Sequence, residues 1–535
     1  MLPKRYLLGI DIGTSGVKAA VFDPDGRLMS LERQEYRFHH PNPGWSEIDP
    51  EAVWAGTVAA VRECVSRSGL EKERIRALGL SVLGETSLPL DEKCRPVYPA
   101  IESIDKRDNA YKSYVAWFEK RFGTEAIFRR TSYPLSAISP AVKLLWLREH
   151  RLEAFKRMHK YVTFQDFTVW RLTGAPAIDY SMASRSMVFD VRQKAWIDEY
   201  LAAMDVPRHL FSPVCEAAHP VGELGEAVAK DLGLSPGVTV VPGAHDHPCE
   251  GLGVGLIREG TAVDGTGSVE AIFTVLREPI TSLEMLRRGQ GSQCHVSADL
   301  YLAMGFHLTA GNLVRWYRDQ LGSREREQAL KEGKDPYDLI TEDAQTSPPG
   351  ARGLLVLPHW SGAGTGRAPA LNPGSRGVIL GLSLGHTRAD LSRALFEGIT
   401  YEARFIIEFL ESSGLAINEL VVTGGGAKSP FWLKLKADIT GKRVIVPRIT
   451  EASPLGAAML AGVGAGVYRD LEDAVARVFK VKDTFEPDPS LKPVYDRMFG
   501  VYRDVYGATI GISEQLAGFS EAPPEAGGGG GEHQN

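Results

Sequence analysis

The strongest constraint in this chain is a motif that occurs twice. DIGTSGVKAAVFD (11–23) and DGTGSVEAIFTVL (264–276) each run strand, Gly/Thr turn, strand, with the second about 250 residues after the first. One such turn is a common hairpin. Two, each heading one half of the chain, predict a duplicated fold with a cleft between the copies, the junction falling near 253–260. At 535 residues the chain is too long for one core, which points the same way. Apolar runs such as IRALGLSVL alternate with helical patterns such as DPEAVWAGTVAAVRECVSRSG, so the fold class is α/β with covered sheets. The uncharged ASPLGAAMLAGVGAGVY (452–468) is rich in Ala and Gly and short of a membrane span; it reads as a buried helix packed closely on a sheet.

A net charge of −6 argues against a broad nucleic-acid surface. The five cysteines are scattered and free of CxxC spacing, the pattern of reduced thiols in a cytoplasmic protein. Lys4 and Arg5 precede only YLLGI before Asp11, too short for a signal-peptide apolar region. No membrane role is expected. From about residue 519, SEAPPEAGGGGGEHQN predicts a disordered tail without chemistry.

Three glycine loops carry the candidate chemistry. In the first, backbone N–H groups with the hydroxyls of Thr14 and Ser15 suit an anion, Lys18 adds positive charge, and Asp11 at a strand end suits Mg²⁺ held through water. A plain tight hairpin is the competing reading for this turn alone, and no GxxxxGK[ST] is present. The second turn, Gly265-Thr266-Gly267-Ser268 after Asp264, repeats the ingredients. The third, Gly424-Gly425-Gly426 between an apolar strand and a helix, permits close approach of an anion or a flat base. Near the junction, GAHDHPCEG places Asp246 between His245 and His247, which fits a metal site or a lone catalytic carboxylate.

The stretches GIDIGTSGVKAAVFD, GWSEIDPEAVW, IESIDKRD, RLTGAPAIDYSMASRSMVFD, GTGS, YEARFIIEFLESSG, VVTGGGAKSPFWLKLKADITGKRVIVP and EASPLGAAMLAGVGAGVY together resemble the FGGY family of carbohydrate kinases, over roughly residues 5–500. The resemblance implies two duplicated actin-like (ribonuclease H-like) domains around a deep central cleft. Residues 1–255 would hold the sugar site, the first phosphate loop and the catalytic Asp. Residues 256–500 would hold the nucleotide site, and 501–535 a helix end and the tail. It further implies ATP as co-substrate with Mg²⁺, Asp246 as general base for a sugar or polyol hydroxyl, and a homodimer as the expected assembly.

By the same resemblance the nucleotide is held by Thr14, Ser15, Lys18, Gly265, Thr266, Gly267, Gly311, Gly424, Gly425, Gly426 and Ala427. Substrate falls to Asp246, Glu85, Thr86, Trp45 and His247, with Glu47 in the same GWxExDP loop as Trp45, and Asp105 and Arg107 bracing the site. Departures from the family pattern are His245, His247, Ser103 for a tryptophan, Leu83 for a glutamine, and Gly84 for the arginine of the glycerol kinase RET motif. Gly84 is expected to enlarge the pocket, which predicts an acceptor of four or more carbons. Two other classes compete: a non-catalytic actin-like ATP-binding protein, disfavoured by the retained base, and a metal-dependent hydrolase centred on His245-Asp246-His247.

Overall fold

The computed structural model describes residues 5–107, 110–367, 371–449 and 451–521. Its first half is built on a seven-stranded sheet whose centre is β1 (Tyr6–Gly13). Beside it lie the antiparallel β2 (Gly16–Phe22), followed by β3 (Leu28–Glu35), and the parallel β4 (Ile75–Val82). The far edge is made by β5 (Gly222–Glu223), β6 (Thr239–Val240) and β7 (Ala244–His245), the last two both pairing with β4.

The second half repeats this plan. Its seven-stranded sheet is centred on β8 (Gly260–Thr266), with β9 (Glu270–Leu276) antiparallel on one side. Beyond β9 come β10 (Ser292–Cys294) and β11 (Tyr301–His307), and on the other side the parallel β12 (Ile417–Gly424), then β13 (Arg443–Pro447) and β14 (Val481–Phe485). The two Gly/Thr turns therefore occupy equivalent positions, each joining the central strand to its antiparallel neighbour.

Helices cover both sheets. α1 (Pro50–Ser68) lies on β2 and β3; the Asp49 side chain caps it by accepting from the Glu51 N–H, Pro50 starts it, and Gly69 ends it in the left-handed region. α2 (Asp246–Gly253) follows β7, and α3 (Arg388–Glu411) and α4 (Pro430–Thr440) pack together in the second half. The Ala/Gly segment forms α5 (Ala452–Gly464) as anticipated. It crosses back onto the first sheet, its Leu455, Ala458 and Leu460 clustering with Leu7, Ala20 and Ala77. The helix backbone sits so close to β1 that a Cβ on Gly9 would lie 1.7 Å from the Pro454 carbonyl oxygen. A boundary at residue 255 thus separates the sheets but not the helices: by contact, α5 belongs to the first half.

α6 (Lys492–Glu521) closes the described chain, and the glycine-rich tail lies outside it. Among the described residues, no helix is long and apolar enough to cross a membrane.

Candidate active site

The site is assembled where the strands of the two halves end. β1 delivers Asp11, opposite Lys18 on β2 and Ser81 on β4. The Ser81 hydroxyl donates to Asp11 at 2.7 Å, yet burial and the facing carboxylates of Asp246 and Glu451 push the Asp11 acid up to about 6. A cation there would relieve that repulsion, and oxygen donors are the ligands Mg²⁺ prefers. Asp11 therefore fits the expected metal position. Lys18 reaches across to Glu451 at 2.8 Å, immediately before α5. Thr14 is exposed at the turn, and Ser15 accepts from the Arg33 guanidinium at 2.7 Å.

Between the halves lies a cavity of about 930 Å³. Lys18, Gly265, Gly267, Gly424, Gly425 and Ala427 line it, so most of the anticipated nucleotide residues converge. Gly311 stands behind this wall, its N–H donating to the Gly267 carbonyl at 3.0 Å. Gly426 and Thr266 do not face the cavity. The Thr266 hydroxyl points into the protein, 2.8 Å from Asp264 and 3.1 Å from Glu270, because those buried carboxylates need a donor. Gly426 packs on its methyl. Thr266→Val should consequently cost about 1–3 kcal/mol of stability, the price of unsatisfied buried acceptors, and lower the Tm while the KM for ATP moves less than threefold. A raised KM at unchanged Tm would return that hydroxyl to the nucleotide.

Asp246 starts α2, where an anion is favoured by the helix dipole. The turn aiming it there requires Gly243, whose φ is +70° and whose Cβ would lie 1.7 Å from the Leu80 carbonyl oxygen. The half-buried Asp246 directs Oδ1 to three nitrogens: His247 N at 2.7 Å, His247 Nδ1 at 2.8 Å and His245 Nε2 at 3.1 Å. Burial alone would raise its pKa, but the two imidazoles outweigh it and hold the carboxyl well below the usual range. His245 is buried and its pKa is pushed down to about 4, so the ring is neutral at pH 7. His247 does not sit on the acceptor side as expected. Its ring packs edge-on to Phe273 and lines, with Lys18 and Glu250, the cavity on which the anticipated nucleotide residues converge.

A second cavity, of about 320 Å³, opens between the halves and is lined by Tyr133, Leu135, Arg185, Gln293, Met304 and Phe306 among others. Glu85 emerges after β4 but stands behind this wall. Its Oε1 accepts from Arg185 Nε at 2.6 Å and Tyr133 OH at 3.1 Å, and Lys143 Nζ holds its carbonyl at 2.7 Å. Burial opposes ionisation, but Arg185, His245 and Lys143 keep the carboxyl below its ordinary value. Thr86 is buried with an unpartnered hydroxyl.

Gly84 does not enlarge the pocket: a Cβ there would meet His245 Nε2 at 2.5 Å, so the imidazole fills the space expected to be free. Trp45 is stacked under the Arg107 guanidinium at 4.2 Å and edge-on to Trp146 at 5.5 Å. Arg107 in turn joins Asp105 at 2.8 Å and Glu47 at 3.0 Å, so the cluster ties the Trp45 loop to the Asp105 segment. Arg185, Tyr133, Gln293, Glu250 and Glu451 were not singled out from sequence; Arg185 and Glu451 lay inside or just at the edge of quoted family stretches with nothing local to mark them.

Opposed glycine turns, a large cleft between two halves, and Asp246 placed between His247 of the larger cavity's wall and His245, which contacts Gln293 of the smaller one, fit a two-lobed phosphotransferase that acts on a hydroxyl. Comparison with known proteins narrows this. Residues 6–253 match the N-terminal domain and 261–465 the C-terminal domain of the FGGY family of carbohydrate kinases. The chain is 27% identical over 518 residues to a xylulose kinase of Staphylococcus epidermidis, covering 96% of this chain and 99% of that one. It is 28% identical over 511 residues to a gluconokinase of Bacillus subtilis, covering 94% and 97%. The fold matches the crystal structure of a ligand-bound xylulose kinase from Lactobacillus acidophilus with a TM-score of 0.85 at 23% identity, over 96% of this chain and 100% of that one. The chain belongs to the FGGY family of carbohydrate kinases, which sets aside both the non-catalytic and the hydrolase readings.

Proposed function

We propose that this kinase transfers the γ-phosphoryl group of ATP to a hydroxyl of a neutral sugar or polyol, with Asp246 as the base. The observation that carries this reading is the place of Asp246. Its neighbour His247 lines the larger cavity, and His245 touches Gln293 in the wall of the smaller one. ATP then occupies the 930 Å³ cavity and the acceptor the 320 Å³ one. The Arg185 charge is answered by Glu85, so the acceptor pocket carries little net charge to recruit an acid.

Asp11, aided by Ser81, would hold Mg²⁺, which when bound neutralises charge on the phosphates. Asp246 orients the acceptor hydroxyl and takes its proton as the oxygen attacks phosphorus. Its low proton affinity suits a loose phosphoryl-transfer transition state, in which positioning matters more than base strength. Apposition of the halves excludes water, which would otherwise compete for the phosphoryl group.

A panel of ketoses, tetritols, pentitols and glycerol assayed for ADP release tests the acceptor. A neutral compound should give the highest kcat/KM. A sugar acid as best substrate would overturn the assignment.

A further inference from the structure

The reaction proposed for Asp246 assigns no part to His245. Its imidazole is 3% exposed and bridges the two halves of the molecule. On one side Nε2 lies 3.1 Å from Asp246 Oδ1. On the other Nδ1 lies 3.2 Å from the side-chain amide nitrogen of Gln293, on β10 of the second sheet. A backbone bond from His245 N to Ser181 Oγ at 2.9 Å anchors the residue, and Gly84 leaves room for the ring.

The chemistry of these atoms fixes the proton. An amide nitrogen only donates, so Nδ1 accepts and the single proton of the neutral ring sits on Nε2, facing the carboxylate. Turning the Gln293 amide over would place the proton on Nδ1. Two lone pairs, on Nε2 and Oδ1, would then face each other at 3.1 Å. With His247 N and Nδ1 also on Oδ1, every close nitrogen falls on that oxygen. Oδ2 is left to take a proton.

We propose that Gln293, His245 and Asp246 form a relay across the cleft, a hydrogen bond from the Gln293 amide followed by a close imidazole–carboxylate contact, in which a residue of the second half selects the imidazole tautomer and His245 thereby aims the base. Gln293 and His245 are positioning residues, and the proposal rests on Asp246 being the base. Its consequence is that the base is oriented only while the two sheets are apposed. Separation of the halves removes Gln293, frees the tautomer and lets Asp246 rotate, so phosphoryl transfer is tied to closure.

The test uses the full chain with its best acceptor and five variants: Asp246→Asn, Gln293→Met, His245→Leu, His245→Leu with Gln293→Met, and Gly84→Ala. Gln293→Met keeps the shape and removes the donor; it should lower kcat about tenfold, the upper worth of one hydrogen bond, with the acceptor KM within twofold. The double variant should be no slower than His245→Leu alone, since residues acting as one unit are not additive. Gly84→Ala, which displaces the same ring from the opposite side, should reproduce the kcat loss and guards against misfolding at His245. A raised acceptor KM at unchanged kcat would make Gln293 a plain substrate contact and overturn the relay. Multiplying losses in the double variant would also overturn it. If Asp246→Asn loses at least about a hundredfold in kcat while Gln293→Met is not impaired, the relay alone fails; if Asp246→Asn stays within about threefold of the unmodified enzyme, the base reading fails first.

Discussion

Asp246→Asn should lower kcat by about 10²- to 10⁴-fold, the usual worth of a general base, with the KM for ATP and the Tm nearly unchanged. Asparagine keeps the shape at the start of α2, and its amide oxygen can still accept from the His247 N–H now 2.7 Å away. The amide cannot take a proton at neutral pH. Because positioning and charge neutralisation carry much of phosphoryl transfer, a residual rate above background is expected. Coupled measurement of ADP release over an acceptor titration checks this. Turnover within threefold of the unmodified enzyme would remove Asp246 from the chemistry.

What the sequence revealed and what it concealed divide along sequence separation. The paired hairpins were legible because a Gly/Thr turn between apolar, strand-forming runs is a local signal. α5 was legible because Ala and Gly over thirteen residues can only pay for burial by close packing. Thr266 was misplaced because the hydroxyl chemistry that suits a phosphate also suits a buried carboxylate, and only the fold decides between them.

The partners of Glu85 were hidden for a different reason. Arg185 lies 100 residues away from it, and Tyr133 lies 48 away. Nothing near Glu85 announces that its φ is +54°, a left-handed conformation costing about 1 kcal/mol for a residue with a side chain. Lys143 holds the strained carbonyl in place from 58 residues away. Such contacts depend on how separate elements cross, which no window of sequence contains.

The same long reach makes Lys436 the most consequential buried cation. Lys436 lies on α4, directly after the Gly424–Gly426 loop, and Asp264 and Glu270 lie on the β8–β9 hairpin that carries the second glycine turn. Lys436 Nζ sits 2.5 Å from Asp264 Oδ2 and bonds Glu270 Oε1, while His307 Nε2 contacts the other Glu270 oxygen. All four are at most 1% exposed. One ammonium therefore clamps together two of the glycine loops lining the larger cavity. Burial and the neighbouring Glu270 push the Asp264 acid up to about 7; Lys436 and His307 hold Glu270 low against its own burial.

Lys436→Met should cost about 3–5 kcal/mol, the range for stranding buried charge, and should raise the KM for ATP as the loops separate. Adding Glu270→Gln should restore at least about half of the lost stability, since fewer charges remain uncompensated. The pH dependence has a definite sign. Without the ammonium, the buried carboxyls titrate above their unfolded values, so their protonated forms favour the folded state at low pH and that contribution is lost as pH rises through the folded pKa. The Tm difference between Lys436→Met and the unmodified enzyme should accordingly be smaller at pH 5 than at pH 8. Equal differences at both pH values, or a Tm unchanged by the substitution, would mean that the clamp holds no stranded charge and that the two nucleotide loops are joined by packing alone.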